Sequence, residues 1–284
     1  YCGFRERQHI TVRVAEVARR HTVRVAVDSR FAADQLAAAA QAAGATIGIL
    51  VDIDTGMHRT GLQTPEQAAE LAAHVDATAG LRLDGLFCYP GHVHGPEPER
   101  AEALKAVGAI LQEALTLYDR KGLDRSIVSA GSTPTAYMSH LLPQATEIRP
   151  GTYIYQDLNE VTVGVCSEDE CAARIVTTVI SDAVPDKCVL DAGSKTLTSD
   201  RLVYKPDIAG FGRVVEYPQA VITRLSEEHG EVVLAQCDKR PRLGERVHVI
   251  PNHICPVVNL QTVAWLDDGS GRLTQLTTDA RGQL

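Results

Sequence analysis

Residues 46–61 read TIGILVDIDTGMHRTG, and the choice between possible folds turns on this stretch. Its first part, Thr46–Asp54, is rich in apolar and β-branched residues and predicts a buried β-strand. Two acidic residues end the strand, and a glycine turn then brings Arg59 to its carboxyl end. Polar residues gathered at the carboxyl ends of parallel strands are typical of the catalytic mouth of a (β/α)8 barrel.

Strands and helices alternate on both sides of this stretch, from residue 23 to about residue 157. The alternation predicts parallel strands joined by helical crossovers. Because no strand is followed by a G-x-G-x-x-G turn, we favour a barrel over an open doubly wound sheet. The predicted strands are Val23–Asp28, Thr46–Asp54, Leu81–Tyr89, Ser126–Ala130, Thr146–Arg149 and Tyr153–Asp157. The predicted helices are Phe31–Ala43 before Gly44, Pro65–Ala77 with Thr64 as N-cap, and Glu97–Lys121.

The sequence changes character after about residue 170, where short segments alternate apolar and polar residues between Gly, Pro and Asp turns. This pattern predicts a mostly antiparallel β domain. The predicted fold class is therefore α/β, with a (β/α)8-type barrel at residues 1–168 and a C-terminal β domain at residues 169–284. A complete barrel takes about 250 residues, so we expect this one to be incomplete at its N-terminus, in a chain truncated before Tyr1.

Composition excludes several classes of function. The chain has 28 basic and 36 acidic residues and no basic run, which argues against nucleic acid or a membrane surface as a partner. It contains neither a membrane-length apolar stretch nor a signal peptide, so we expect a soluble protein. Seven cysteines without a C-x-x-C pair argue against a disulfide framework and fit a reducing cytoplasm.

A loop rich in glycine and hydroxyl groups follows the strand Ser126–Ala130. Free backbone N–H groups before a short helix suit a phosphate, although loops of this composition also cap helices without binding anything. A turn after the next strand could contribute further backbone N–H groups to such a phosphate site. Arg149, beside that turn, could equally be a structural ion-pair partner. The candidate phosphate-binding residues are Gly131, Ser132, Thr133, Thr135, Gly151, Thr152 and Tyr153.

The β domain contains the short motif Asn252-His253-Ile254-Cys255-Pro256. In an extended strand the His253 and Cys255 side chains would point to the same face, and Pro256 biases Cys255 toward that conformation. Imidazole and thiolate together favour zinc and would leave positions for water and substrate. An H-x-C pair can also be an ordinary core pair. The loop residues His92 and His94 form a rival pair, which we expect to be solvated and to lie near the entrance.

Taken together, these segments resemble the D-serine dehydratase and D-threonine aldolase family. Its members are fold-type III pyridoxal-phosphate (PLP) enzymes with an alanine-racemase-like barrel and a C-terminal β domain. The resemblance covers nearly the whole chain in order, which makes it more specific than any single motif. The motifs that carry it are DTGMHRTG (54–61), GLFCY (85–89), SAGSTPT (129–135), EIRPGTY (147–153), DAGSK (191–195), SEEHG (226–230) and PNHICP (251–256).

The resemblance implies a PLP site in the barrel mouth with a divalent metal, most simply Zn²⁺, beside it. Arg59 would face the PLP 3-oxygen and Tyr89 would lie near the pyridine nitrogen. The 131–135 loop and the 151–153 turn would hold the phosphate, and His253 and Cys255 would bind the metal. A homodimer is implied by the resemblance alone.

One departure concerns the lysine that binds PLP, which the family carries in its first barrel strand. No matching segment occurs here, and Lys195 belongs to the DAGSK motif of the β domain, so we reject it as a substitute. We therefore expect the fragment itself to be inactive, with a naturally inactive homologue as the alternative.

The resemblance implies a lyase that acts on D-3-hydroxy amino acids. The family's dehydratases have H-x-C at the metal site and its aldolases have H-x-D, so Cys255 favours dehydration of D-serine or D-threo-3-hydroxyaspartate to a 2-oxo acid and ammonia. Cleavage of D-threonine to glycine and an aldehyde is the alternative. A PLP carrier protein is disfavoured by the β domain, whereas a non-catalytic PLP-binding or structural homologue stays open.

Overall fold

The computed structural model describes residues 4–282. The chain divides into two compact units, one that runs to Pro150 and one that begins at Gly151. The domain boundary expected at residues 168 and 169 falls within the second unit, at a short 3-10 helix, Glu168–Glu170. Within residues 4–282, no helix has both the length and the apolar character that a membrane crossing requires.

The first unit alternates four helices with five parallel strands. Its helices are α1 (Phe4–Ala18), α2 (Arg30–Ala43), α3 (Pro65–Asp76) and α4 (Glu97–Lys121). Its strands are β1 (Arg24–Val27), β2 (Ile47–Asp52), β3 (Leu81–Phe87), β4 (Ile127–Ala130) and β5 (Glu147–Ile148). They pair in the order β1-β2-β3-β4-β5. Consecutive order is that of a (β/α)8 barrel, whereas a doubly wound sheet reverses its order at a switch point, so the predicted barrel type is confirmed.

Local sequence accounts for these elements. All residues of β2 are buried, as expected for a parallel strand covered on both faces. The Thr64 hydroxyl accepts a hydrogen bond from the backbone N–H of Gln67, whose side chain bonds back to the Thr64 backbone, and this capping box starts α3. Gly44 ends α2 in the left-handed conformation, with φ of 62°. The predicted ends of these helices are confirmed to within a residue or so.

The strand expected at Tyr153–Asp157 is wrong. Residues Thr152–Ile154 form a 3-10 helix, and a short helix, α5 (Leu158–Thr162), follows. Asp157 is the reason, because its carboxylate accepts the backbone N–H of Glu160 and acts as the N-cap of α5.

The second unit is built on a closed barrel of six short strands, in the order β10-β7-β6-β11-β8-β9. Every pairing in it is antiparallel, which confirms the predicted antiparallel β domain. Its strands are β6 (Ile175–Ser181), β7 (Lys187–Leu190), β8 (Arg213–Val214), β9 (Val221–Leu225), β10 (Gly230–Val233) and β11 (Arg246–Ile250). Apolar residues that alternate along the strands fill its interior, among them Val179, Leu190, Ile222, Val232 and Val247.

Besides α5, two further helices and a hairpin accompany this barrel. They are α6 (Ser194–Leu197), α7 (Ile254–Leu260), β12 (Val263–Asp267) and β13 (Leu273–Thr277). α7 ends at Leu260, and β12 begins at Val263. Both hairpin strands are largely exposed to solvent, including the apolar side chains Trp265, Leu266 and Leu273.

The extended strand expected at His253–Cys255 is also wrong. β11 ends at Ile250, His253 is the extended residue before α7, and Cys255 lies in the first helical turn. Pro256 is tolerated there because the first turn of a helix needs no intrahelical partner for its N–H groups. The Asp157 carboxylate accepts the backbone N–H of Ile254 at 2.9 Å and so satisfies one of those groups.

Candidate functional site

The loop that follows β2 is built around the Asp54 carboxylate. Oδ1 accepts hydrogen bonds from the backbone N–H groups of Gly56 and Met57, both at 2.9 Å, and Oδ2 lies 2.8 Å from His58 Nδ1. Burial alone would raise the pKa of Asp54, but backbone donation from Gly56 and His58 and side-chain donation from Gln63 lower it to about 2. Asp54 is therefore a fixed anion that shapes the loop, and it is unsuited to carry a proton near neutral pH.

Close backbone approaches explain the glycines of this loop. Gly61 has φ of 100°, and a Cβ placed on it would lie 2.5 Å from the backbone nitrogen of Asp54. A Cβ on Gly56 would lie 2.8 Å from His92 Nε2, so the loop that carries His92 packs beside this one. Burial lowers the pKa of His92.

Arg59 and Tyr89, the two predicted ring-contacting residues, lie together. The Arg59 guanidinium stands 4.6 Å from the centre of the Tyr89 ring, a cation–π distance. A small cleft lies between them and the end of β2, and Asp52 and Thr60 also line it. The Thr60 hydroxyl donates to Asp52 Oδ2 at 2.9 Å, and burial raises the pKa of Asp52.

Arg149, for which two roles were open, joins the ends of two strands. Its Nε donates to Ser129 Oγ at 2.9 Å, and its Nη2 donates to the backbone carbonyl of Cys88. The guanidinium also stacks 3.8 Å from the centre of the Phe87 ring. These contacts support the structural role. Burial raises the pKa of the neighbouring Cys88 thiol to about 12, so this cysteine is not a nucleophile.

The predicted phosphate loop is a tight turn in front of the 3-10 helix Ala136–Leu141. The Thr135 hydroxyl accepts the backbone N–H of Ser132 at 2.9 Å and lies 3.1 Å from Ser132 Oγ. Ser132, Thr133 and Thr135 are all buried, and Gly131 has φ of 86°. A glycine and buried hydroxyls that shape a turn before a helical segment suit a phosphate held by backbone N–H groups. The other predicted part of the phosphate site, 151–153, belongs to the second unit.

Lysine is absent from the strands β1–β5. Lys105 and Lys121 both lie on α4. Lys195 lies on α6, where its ammonium pairs with Glu227 at 2.8 Å and with Glu228 at 2.7 Å. Hydrogen bonds to these two carboxylates raise the pKa of Lys195, so the side chain is held as a cation rather than as a free amine.

The turn between β11 and α7 brings the two predicted metal ligands together. His253 and Cys255 are hydrogen-bonded through their side chains, which lowers the pKa of the Cys255 thiol. The same bond, with that to Asp200, raises the pKa of His253 to about 9 against the opposing effect of burial. The Cys255 proton is therefore lost more easily than that of an isolated thiol, and a metal ion would replace it.

The structure adds contacts around this pair that the sequence did not reveal. Asp200 Oδ2 lies 2.8 Å from His253 Nδ1, and the Thr152 hydroxyl lies 3.7 Å from Cys255 Sγ. Thr152, predicted to hold phosphate, thus lies within reach of a candidate metal ligand. Asp200 is 53 positions away from His253, and no local motif marks it.

A metal ion fits this donor set. Among residues 4–282, no group of three or more His, Cys, Asp and Glu side chains is arranged to bind one ion. An ion here would therefore have two protein ligands, His253 and Cys255, and open positions for water and substrate. Imidazole and thiolate are a donor pair that zinc accepts readily.

Comparison with known proteins places the chain in a family. The model "Alanine racemase, N-terminal domain" matches residues 7–159, and the model "Putative serine dehydratase domain" matches residues 172–265. D-threo-3-hydroxyaspartate dehydratase of Delftia sp. (strain HT23) is 32% identical over 255 residues, which cover 82% of this chain and 66% of that protein. The chain spans 62–66% of the length of the curated relatives that it matches first.

Solved structures agree in fold. D-threonine aldolase from Filomicrobium marinum matches with a TM-score of 0.86 and 26% identity, over 97% of this chain and 74% of that one. A D-threo-3-hydroxyaspartate dehydratase in which a cysteine is replaced by alanine, in its metal-free form, matches with a TM-score of 0.81 and 25% identity, over 95% and 76%. The chain belongs to the alanine racemase N-terminal domain family, in the group that contains the D-serine dehydratases and D-threonine aldolases.

Proposed function

We propose that the full-length protein is a PLP- and metal-dependent lyase that dehydrates D-serine or D-threo-3-hydroxyaspartate to a 2-oxo acid and ammonia. The observation that carries this proposal is the contact between His253 and Cys255. Relatives named for dehydration and for aldol cleavage both match the chain, so overall similarity does not choose between the two reactions. The donor atoms at the metal site are therefore the deciding feature.

Arg59, Tyr89 and the 131–135 loop are the proposed PLP contacts. Arg59 would provide a cation for the ring oxygen with Tyr89 beside it, and backbone N–H groups of the 131–135 loop would hold the phosphate. PLP, when bound, supplies the electron sink of the reaction. None of the strands β1–β5 supplies a lysine for PLP.

His253 and Cys255 are the proposed ligands of a zinc ion. An ion held by these two side chains would supply Lewis-acid chemistry that makes the substrate 3-hydroxyl a better leaving group. The Cys255 thiolate favours a soft ion of low coordination number, which suits loss of hydroxide. Retro-aldol cleavage keeps that oxygen on the product as a carbonyl and is better served by a harder, oxygen-ligated ion. We further propose a cytoplasmic homodimer that acts on small D-amino acids.

A product assay with the full-length protein tests this proposal. The protein is supplied with PLP and zinc and incubated with D-serine, D-threo-3-hydroxyaspartate or D-threonine, and with the L-isomers as controls. We expect 2-oxo acid and ammonia from one or both of the first two substrates, and little reaction with L-isomers. Glycine and acetaldehyde from D-threonine as dominant products would establish the aldolase instead. No product from any substrate with both cofactors bound would indicate a non-catalytic homologue.

A further inference from the structure

Asp200 contacts the Nδ1 nitrogen of the His253 imidazole. Its Oδ2 lies 2.8 Å from His253 Nδ1, which leaves Nε2 as the nitrogen available for Cys255 or for a metal. The side chains of His253 and Asp200 are 34% and 42% exposed. An ion pair this exposed adds little stability, so the contact is better explained by what it does to the orientation of the ring.

Two buried asparagines bring Asp200 to this position. Asn252 Nδ2 donates at 3.0 Å to the backbone carbonyls of both Asp200 and Gly210. Asn159 Nδ2 donates to the Asn252 carbonyl at 2.8 Å, and Asn159 Oδ1 accepts the backbone N–H of Val203 at 2.7 Å. The segment 200–210 is thereby attached to the turn that carries His253, and the Asp200 carboxylate is placed by main-chain contacts rather than by a flexible side chain alone.

We propose that Asp200 is a positioning residue that sets the tautomer and orientation of His253. By accepting the Nδ1 proton, the carboxylate leaves the lone pair of Nε2 for the metal ion, next to Cys255 Sγ. A carboxylate behind a ligating histidine orients the ring and increases its basicity, and loss of such a partner typically weakens metal binding by 10- to 100-fold. The inference rests on the proposed function in one respect, since the ion is the one proposed there.

The test measures metal affinity in the full-length protein without substrate. Zinc affinity is obtained by competition with a chromogenic chelator, and the cobalt-substituted protein is examined for its thiolate-to-cobalt absorption. The variants are Asp200→Asn, which keeps the shape of the side chain, Asp200→Glu, which keeps its charge, and His253→Ala, which removes a ligand. Asp207→Asn, at an exposed carboxylate on the same segment, is the matched control.

We expect Asp200→Asn to bind zinc 10- to 100-fold more weakly than the wild type, with the thiolate-to-cobalt absorption still present at saturation. Asp200→Glu should recover part of the zinc affinity, and Asp207→Asn should match the wild type. If Asp200→Asn binds within twofold of wild type while His253→Ala binds far more weakly, the positioning role is wrong and the metal site stands. If His253→Ala also binds like the wild type, the metal site of the proposed function is wrong as well. Unchanged circular dichroism of each variant shows that the fold is intact.

Discussion

Cys255 is the single side chain on which the choice of reaction rests. Replacement by aspartate would exchange a soft sulfur donor for a hard oxygen donor in the same helical turn. We expect Cys255→Asp to lower 2-oxo acid formation at least tenfold and to raise the share of glycine and aldehyde formed from D-threonine. Product analysis by chromatography gives both rates. Cys237→Ala, at a half-buried thiol of the β barrel, is the control. A Cys255→Asp enzyme that dehydrates as fast as the wild type would contradict the role of the thiolate.

The lowered pKa of Asp54 predicts that the stability of the fold depends on pH. Its pKa in the folded protein is about 2, below the ordinary value of 3.8. A lowered pKa means that the ionised carboxylate stabilises the fold above pH 4 and that this contribution, about 2 kcal/mol, is lost as the pH falls from 4 toward 2.

Asp54→Asn removes the charge while it keeps an acceptor oxygen. We expect the free energy of unfolding of the variant to lie about 2 kcal/mol below that of wild type at pH 7, and the difference to shrink below pH 4. Urea titrations at several pH values measure it, with the exposed Asp279→Asn as control. A difference that stays constant down to pH 3 would show that the charge of Asp54 is not responsible.

The limits of sequence reasoning are visible at the candidate metal site. The spacing of His253 and Cys255 predicted that they would meet, and they do, although the expected strand is replaced by the start of a helix. Side chains two residues apart can meet in an extended strand or at the start of a helix. The predicted contact therefore formed although the predicted strand did not. Asp200 could not be predicted, because its contact depends on how Asn159 and Asn252 connect distant segments.

At the scale of elements, the loop after β2 makes a prediction about Gly61. Alanine there would be strained by φ of 100° and would meet the backbone of Asp54. Gly122, at the end of α4, also has positive φ but has open space around it. We expect Gly122→Ala to cost about 1 kcal/mol and Gly61→Ala to cost more than about 2 kcal/mol.

Thermal unfolding of the two alanine variants checks this expectation, and PLP binding reports on the loop that carries Arg59. Gly61→Ala should weaken PLP binding, whereas Gly122→Ala should leave it unchanged. Equal stability losses in the two variants would show that the loop relaxes around the added methyl group.

Local signals explain which elements were predictable. The capping box at Thr64 and the glycine at residue 44 are encoded within a few residues, and the ends of α2 and α3 followed from them. Tyr153–Asp157 has strand-like composition, but Asp157 caps α5 and also accepts the N–H of Ile254, a contact with a residue 97 positions away. A local pattern carries no information about a partner at that distance.

At the scale of the whole molecule, the sequence predicted a parallel first unit and an antiparallel second unit. It did not predict the order of the strands in the second unit. Alternation of strands with helices predicted a parallel sheet, and the consecutive order of β1–β5 is that of the predicted barrel type. The second barrel pairs β6 with β11 and β7 with β10, pairings set by side-chain packing between distant segments.

The exposed β12–β13 hairpin has a practical consequence for spectroscopy. Trp265 is the only tryptophan of the chain, and it is 59% exposed there. Intrinsic tryptophan emission should therefore be red-shifted and readily quenched by acrylamide, and it should report on the hairpin. A blue shift that grows with protein concentration would signal that a second copy covers this hairpin, and emission that stays red and quenchable at all concentrations would place any subunit interface elsewhere.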